Sequence, residues 1–352
     1  MTKEEFNVSI SNEIKACVDS FVSRPRLISN FCNDSQSIVA EYNRRQIFEM
    51  LQNVDDQMDE SSLLRDDKCC LIEFDKSKRS LCFKNQGVPF SDEGIKSIML
   101  PHTSPKKKLG KTTIGNKGLG FRSLLNWKPD EIIIRSNGTE LTFSKEVVKE
   151  KIDGNPALKK AVLSQRNDGS LPMLVFPKIG NDESGSKWVT EIELRWKDHG
   201  VGLETLFADI ENELRSFKSE LMLFLPRLLK MGILIVSSDG KDSFEFESAE
   251  SDYRAVGVSD QHLYKKSITQ SKNGESSSKV DWLVYRDSCE LDGVKLAGDD
   301  SRNFNLAIAI PFDSLVRSQL DGVLYNYLPI KSAEQAVEIN EASGISVGRC
   351  AG

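Results

Sequence analysis

Three glycines stand within the eleven residues TIGNKGLGFRS, from Thr113 to Ser123, and they restrict the folds open to this chain. A Walker A loop has the pattern G-x-x-x-x-G-K-[ST]. The sequence LGKTT supplies its end, but the position of its first glycine holds Pro105. A Rossmann loop has the order G-x-G-x-x-G. Gly115, Gly118 and Gly120 give the order G-x-x-G-x-G instead, so the spacing excludes both kinds of loop.

The residues after this loop, FRSLLNW, predict the first turns of a helix with Phe121, Leu124 and Leu125 on its buried side. A glycine-rich loop that opens a helix presents free backbone N–H groups and a positive dipole end to an anion. A flexible surface loop is the alternative interpretation. Other parts of the chain have to decide between the two.

A second feature is the amphipathic segment AEYNRRQIFEMLQNVDDQM, residues 40–58. At about 100° per residue, one stripe is apolar and the opposite stripe is polar; their members are Ile47, Leu51, Val54 and Met58, and Arg45, Glu49, Asn53 and Asp56. Asn supplies a neutral oxygen ligand to Mg²⁺, and Glu can orient and deprotonate a water molecule. The polar stripe therefore suits a magnesium–nucleotide site, and the alternative is a solvated helix face.

A third feature is a predicted β-hairpin formed by Cys70–Asp75 and Ser80–Lys84. A helix capped by Ser91 should follow it. Between hairpin and helix lies NQGVPF, in which Gly87 follows Asn85 by two residues. A glycine at this place lets a flat group approach the backbone closely.

These three segments, in this order, resemble the GHKL superfamily of ATP-binding proteins, most closely its sacsin-like and heat-shock-ninety-like members. RRQIFEMLQNVDD is similar to the box that carries the base and the magnesium ligand. The resemblance implies that Glu49 is the general base and Asn53 the Mg²⁺ ligand. It implies that Asp56 supports these two residues without contacting the ion itself. NQGVPF is similar to the second box, and implies that Asn85 and Gly87 bind the adenine. Many members have aspartate at the first position, whereas an amide accepts the same hydrogen bond without a charge.

GNKGLGF resembles the third box, which closes over the triphosphate as a lid. The resemblance implies that the lid contacts the nucleotide, with Lys117 near phosphate; its candidate residues are Gly115, Lys117, Gly118, Leu119, Gly120 and Phe121. TSPKKK resembles the element that begins the lid, and adds Ser104 and Lys107. KWVTEIELRW is similar to the strand with the fourth box. There Thr190 keeps the usual hydroxyl, while Val189 stands in place of the usual glycine.

The fold that this resemblance implies is α+β, without the βαβ alternation of a Rossmann domain. We expect an amino-terminal helical strap at residues 1–26 and a GHKL ATP-binding domain, a Bergerat-type α/β sandwich, at 27–235. A smaller β-rich, transducer-like domain should follow at 236–352, where DWLVY, NLAIAIPFD and VLYNYLPIK resemble its strands more faintly. After VLYNYLPIK the chain either ends early or has a diverged tail.

The implied function is Mg²⁺-dependent ATP binding with slow ATP hydrolysis, used as a conformational clamp of the chaperone or defence type. Arg302 and Lys331 are candidates for a second-domain residue that completes the site. The alternative is a nucleotide-gated binding module that does not hydrolyse ATP. Candidate partners are a second copy of the chain, joined through lid or strap closure, and a protein partner or downstream domain. The biological role is left open by the same boxes.

The composition of the chain argues against several other classes of protein. The net charge of -6 argues against a general nucleic-acid surface, although a nucleic-acid role is left open. Seven cysteines lack paired metal-ligand spacing, which predicts buried thiols in a reducing cytoplasm. Three scattered histidines argue against zinc or histidine-led chemistry. No apolar run reaches the length of a membrane span.

Overall fold

The structure is a computed structural model, and the chain has a mixed α+β fold. The structure describes residues 1–41, 46–58, 67–100, 120–197, 202–252, 263–275, 278–290, 303–311, 323–325 and 329–332. Contacts between Cα atoms divide the chain into two units. The first comprises residues 1–218, 225–246 and 271–276, and the second comprises 219–224, 247–270 and 277–352.

The first unit contains seven α-helices among its described residues: α1 Lys3–Ser23, α2 Arg26–Glu41, α3 Gln46–Gln57, α4 Asp92–Met99, α5 Lys145–Asp153, α6 Pro156–Gln165 and α7 Leu203–Arg215. Their starts follow capping chemistry. Thr2 and Glu5 form a capping box at α1, and Ser91 accepts a hydrogen bond from the Gly94 N–H at α4. A 3-10 helix, Gly120–Trp127, adds a further turn element.

The sheet of the first unit has the strand order β7-β1-β2-β6-β3-β4-β5. Its strands are β1 Cys69–Asp75, β2 Ser80–Asn85, β3 Glu131–Ser136, β4 Thr139–Ser144, β5 Lys178–Asn181, β6 Thr190–Arg195 and β7 Lys230–Ser237. Only the pairing of β1 with β7 is parallel within this set of described strands. The predicted hairpin is confirmed as β1 and β2, and the predicted helix cap at Ser91 is confirmed as well.

Side chains on one face of this sheet form three cross-strand rows, because successive side chains alternate between the faces. Two rows are apolar and buried: Ile235, Phe74, Leu81, Leu194, Ile132 and Phe143 in one, and Ile233, Ile72, Phe83, Ile192, Ile134 and Leu141 in the other. The third row runs from Met231 and Cys70 into hydroxyl and amide side chains. The core therefore ends at a polar edge of the same face.

Helices pack against this face at both ends. At the apolar end, the Phe207 ring of α7 meets the rings of Phe74 and Trp196 edge-on, each with centroids 5.4 Å apart. At the polar end, the Thr139 hydroxyl donates to the Asn7 side-chain oxygen of α1 at 2.8 Å. Helix α1 is thus anchored beside the polar end of the face.

The opposite face of the sheet carries ion-paired side chains, together with buried uncharged ones such as Cys82 and Ile133. Lys84 pairs with Glu73 across β2 and β1 at 2.7 Å. Arg135 on β3 pairs with Glu193 at 2.8 Å and with Glu140 at 2.9 Å. The charged side chains of these strands therefore lie on the face opposite the apolar rows.

The second unit is built largely from antiparallel strands. They are β9 Leu263–Lys272, β10 Ser278–Glu290 and β11 Asn303–Pro311, with a hairpin of β12 Val323–Tyr325 and β13 Pro329–Ser332. Strand β8 Gly240–Asp252 has residues in both units, and the last two residues of β9 belong to the first unit. The buried Lys266 ammonium donates to the Met222 carbonyl oxygen at 2.6 Å, which holds the 3-10 helix Ser219–Phe224. The strand expected at DWLVY is confirmed as part of β10, and residues 305–311 of the expected NLAIAIPFD segment are confirmed as part of β11.

Among the helices in the described ranges, none is both long enough and apolar enough to cross a membrane. The domain boundaries predicted at residues 26 and 235 stay predictions.

Candidate functional site

Helix α3 is buried on nearly all of its sides. The apolar stripe Ile47, Leu51, Val54 and Met58 is buried, as predicted. Of the polar stripe, Glu49 is 8% exposed and Asp56 is 9% exposed, so these two carboxylates do not belong to a solvated face. Asn53 is half-buried. The structure thus excludes the solvated-face interpretation for Glu49 and Asp56.

Gly120 lies directly against the Glu49 side chain. A Cβ built on Gly120 would lie 3.2 Å from Glu49 Cδ and 3.3 Å from Glu49 Cβ, and it would overlap with Oε2. Only a glycine lets the backbone come this close to the carboxylate. The last glycine of the sequence motif and the predicted base are therefore neighbours in space.

The third row of the sheet face places Asn85, Thr190, Ser136 and Thr139 side by side, and we call these four residues the polar row. In the strand register Asn85 lies opposite Thr190, Thr190 opposite Ser136, and Ser136 opposite Thr139. All four are buried, with exposed fractions of 4%, 3%, 4% and 1%. The two residues that the resemblance assigns to the second and fourth boxes thus become direct cross-strand partners.

Among the described residues, hydrogen bonds within the polar row leave the side-chain amide nitrogen of Asn85 without a partner. The Ser136 and Thr190 hydroxyl oxygens are 3.1 Å apart, and the Phe90 N–H donates to Ser136 Oγ at 3.1 Å. Val189 donates its N–H to the Asn85 carbonyl oxygen at 3.1 Å. The Asn85 Nδ2 group is buried and has no hydrogen-bond partner in the described part of the chain. A buried, unpaired amide is costly, so its presence in a native fold calls for an explanation, of which a bound ligand is one.

Gly87 brings the carboxyl end of α3 to the end of β2. A Cβ at Gly87 would lie 2.7 Å from the Gln57 carbonyl oxygen and 2.9 Å from its carbonyl carbon. The Val88 N–H donates to the same Gln57 oxygen at 3.0 Å. Gly87, two residues after Asn85, therefore allows a close approach, and the group that makes it is the backbone of α3.

Helix α3 thus connects two parts of the predicted site. Its residue Glu49 contacts Gly120, and its residue Gln57 contacts Gly87 beside the polar row. Eight residues of α-helix span about 12 Å. Asn53 lies midway between these two contacts, on the half-buried part of the helix.

Asp55 and Asp56 bind the segment that leads into β7. Asp55 is fully buried, and its Oδ1 accepts the N–H groups of Arg227 and Leu228, both at 2.8 Å. The Arg227 guanidinium lies 3.3 Å from Asp55 Oδ2 and 3.4 Å from Asp56 Oδ1. Asp55 is therefore a structural anchor for α3, and Asp56 shares the same arginine.

The predicted helix after the glycine loop is a 3-10 helix, Gly120–Trp127. Phe121 and Leu124 are buried as predicted, whereas Leu125 is only half-buried. Arg122 is fully buried and donates to the last carbonyls of α4, to Ile98 at 2.6 Å and to Met99 at 3.2 Å. Burial lowers the pKa of Arg122 to about 10. The negative end of the α4 dipole offsets part of the cost of this buried charge.

Several predicted residues lie outside the described part of the chain. They are Ser104, Lys107, Gly115, Lys117, Gly118 and Leu119 of the predicted lid, together with Arg45 and Arg302. Lys331 lies in β13. Their assignments stay predictions.

Within the described residues, no group of three or more His, Cys, Asp or Glu side chains is arranged to hold a metal ion. Mg²⁺ usually takes one or two protein ligands and completes its shell with phosphate oxygens and water. A half-buried Asn53 one turn from Glu49 fits that donor set, with the carboxylate and amide oxygens on one side of α3.

Two cavities of the first unit lie elsewhere. One, of about 400 Å³, is lined by residues that include Cys32, Leu125, Arg166 and Met173. The other, of about 710 Å³, is lined by ion-paired side chains that include Lys76, Glu211 and Arg215. Neither of these cavities is lined by a predicted site residue.

Sequence reasoning missed Ser136, Asp55 and Arg122. For Ser136 a signal was present: Asn137 and Gly138 both have positive φ in the turn between β3 and β4, as the dipeptide Asn-Gly favours. That turn sets Ser136 opposite Thr139. For Asp55 and Arg122 the partners lie far away in the chain, so the sequence pattern carried no signal.

A scan against protein-family models and a search of curated proteins found no match for this chain.

Proposed function

We propose that this protein binds ATP with Mg²⁺ at α3 and the polar row, hydrolyses it slowly, and uses the nucleotide as a conformational clamp. The observation that carries the proposal is the register that sets Asn85 beside Thr190, at one end of a buried helix whose Glu49 contacts Gly120 at the other. A nucleoside triphosphate is elongated. Its base would bind at the polar row and its phosphates near Gly120.

The unpaired Asn85 amide supports this placement of the base. Ligand pockets combine apolar walls with a few placed polar groups. The polar row adjoins the apolar Phe83 and Ile192, which leaves hydrogen bonds only along one edge. A flat heteroaromatic base fits this arrangement, because its ring faces can lie against apolar walls while its hydrogen-bonding groups lie along its edge.

Glu49 is the proposed base for water. Its carboxylate is buried and is held between α3 and the backbone of Gly120, which restricts its direction. A carboxylate fixed in this way can orient a water molecule and take its proton. Asn53 would hold Mg²⁺, which when bound neutralises phosphate charge.

The fold proposed is a Bergerat-type sandwich for the first unit and a transducer-like domain for the second. Lys117 and the other lid residues would bind the triphosphate, and a second copy of the chain or a protein partner would respond to closure. A cytoplasmic location and a chaperone-like or defence role belong to the same proposal.

Nucleotide-gated binding without hydrolysis is the second candidate. The observation that favours it is Val189, a half-buried branched side chain at the residue before Thr190, where the resembled family has glycine. Added bulk beside the base would shift a nucleotide without preventing its binding. Hydrolysis requires a tighter arrangement than binding does.

The test is a thermal-shift and phosphate-release experiment on the full chain. ATP with Mg²⁺ should raise the melting temperature, because a ligand that binds only the native state stabilises it by mass action. Glu49→Ala should abolish phosphate release and keep the thermal shift, whereas Asn53→Ala should reduce the shift itself. The exposed Glu183 provides the matched control, Glu183→Ala.

A folded protein without any thermal shift at millimolar ATP contradicts the binding proposal. A shift in the absence of phosphate release supports the second candidate. If both variants showed the thermal shift and the phosphate release of the parent chain, α3 would not be part of the nucleotide site.

A further inference from the structure

We propose that the polar row recognises the purine edge with groups that can each donate or accept a hydrogen bond, so that the site binds 6-oxo as well as 6-amino purine nucleoside triphosphates. This inference rests on the proposed function and specifies its substrate class. A carboxylate at the position of Asn85 can only accept, and it would select the 6-amino group of adenine.

Asn85 provides the first of these groups. The residue is 4% exposed, and its Nδ2 donor has no partner among the described residues. A primary amide carries both a donor and an acceptor, and a half-turn of the side chain exchanges their places. One orientation offers N–H to a 6-oxo group, and the other offers C=O to a 6-amino group.

Thr190 and Ser136 provide the second group. Ser136 Oγ accepts the Phe90 N–H at 3.1 Å and lies 3.3 Å from the Val189 carbonyl oxygen and 3.1 Å from Thr190 Oγ1. When Ser136 donates to Val189, the Thr190 hydroxyl donates to Ser136 and its own oxygen can accept from a ligand. When Ser136 donates to Thr190, the Thr190 proton becomes available to a ligand. Hydroxyl rotation therefore lets Thr190 adapt to either base.

The residues next to Asn85 do not favour a 6-amino purine over a 6-oxo purine. Along the row, Asn85 is flanked by Cys70 on one side and Thr190 on the other, and neither carries a charge. Burial raises the pKa of the Cys70 thiol, so the thiol stays neutral at physiological pH. Thr139 is already committed, because its hydroxyl donates to Asn7. A preference for adenine would need a fixed acceptor beside Asn85, and neither of its two cross-strand neighbours, Cys70 and Thr190, provides one.

The experiment measures binding of three nucleotides to the full chain with Mg²⁺ by calorimetry. Inosine triphosphate is the main probe, because it differs from ATP by a 6-oxo group and lacks the 2-amino group of GTP; CTP controls for the triphosphate alone. We expect the Kd values for ATP and inosine triphosphate to agree within about tenfold. A site with fixed polarity would separate them by a factor of about 10⁴ or more.

Asn85→Asp should then weaken inosine triphosphate relative to ATP by at least about tenfold, because two acceptors would face each other. Asn212→Asp, the same change on the exposed surface of α7, should leave the ratio unchanged. Should Asn85→Asp fail to fold, Ser136→Ala replaces it: loss of the hydroxyl relay should change the ratio of the two Kd values.

Two outcomes separate this inference from the proposed function. Binding of ATP with inosine triphosphate more than about tenfold weaker in the parent chain overturns the inference and leaves the proposed function standing. Equal binding of CTP and ATP overturns base recognition at the polar row. Failure of all three nucleotides to bind removes the proposed function and the inference together.

Discussion

The backbone of Gly120 lies against the carboxylate of Glu49, so that a Cβ at residue 120 would be only 3.2 Å from Glu49 Cδ. Gly87 makes a similar approach to Gln57, but there the neighbour is backbone, and an added Cβ would lie 2.7 Å from the carbonyl oxygen. The end of a glutamate side chain can move, whereas a helix backbone resists displacement. The two glycines should therefore respond differently to the same substitution.

For Gly120→Ala the proposed function predicts that hydrolysis of ATP falls by about 10- to 100-fold, because a displacement of about 1 Å at the proposed base can cost that much. The melting temperature should fall less than in Gly87→Ala, since the end of the Glu49 side chain can shift more readily than the Gln57 backbone. Steady-state phosphate release and a melting curve check both parts. Gly180→Ala is the control, because its Cβ would be 3.8 Å from the nearest atom, the Glu140 oxygen. Unchanged hydrolysis in Gly120→Ala would separate Glu49 from the chemistry.

For Gly87→Ala we expect the free energy of unfolding to fall by about 1–3 kcal/mol, as in other overpacked sites. The added methyl group has to push the end of α3 away and strain the hydrogen bond from Val88 to Gln57. Urea denaturation measures this loss. A stability equal to that of the parent would show that α3 and the end of β2 separate readily.

Asp55→Asn should destabilise the protein more than Asp56→Asn does. Asp55 accepts two backbone N–H groups and is fully buried, so its replacement disturbs several bonds at once. We expect a loss of about 2–4 kcal/mol for Asp55→Asn and about 1 kcal/mol for Asp56→Asn. Equilibrium unfolding of the two variants tests the order. Equal losses would contradict the anchoring role of Asp55.

Glu213 should make stability depend on pH. Burial raises the pKa of its carboxyl from 4.5 to about 7. The unfolded chain releases this proton at lower pH than the folded chain, so the stabilising difference is complete below about pH 4.5 and is lost as the pH rises to about 7.

Glu213→Gln should therefore raise the free energy of unfolding at pH 8 by about 1–3 kcal/mol and have little effect at about pH 4.5. Denaturation curves at the two pH values check this sign. The exposed Glu183→Gln should show no such difference. A larger gain at the lower pH would contradict burial as the cause.

The local elements of this protein could be predicted from its residues alone. Two strand-like runs on either side of a short polar turn predicted β1 and β2, Ser91 predicted the start of α4, and a helical period predicted the buried stripe of α3. These features depend on neighbours within a few residues, and the chain pattern therefore contains them.

Which polar residues lie together depends instead on how distant segments pair and pack. The pairing of β2 with β6 and of β6 with β3 sets Asn85, Thr190 and Ser136 in one row, and strand register is a long-range property that local spacing does not contain. The burial of Glu49 and Asp56 likewise results from packing around all sides of α3, although their period resembled that of a solvated face. Arg122 meets its partners at the end of α4 for the same reason: a helix end attracts a cation only when the fold brings them together.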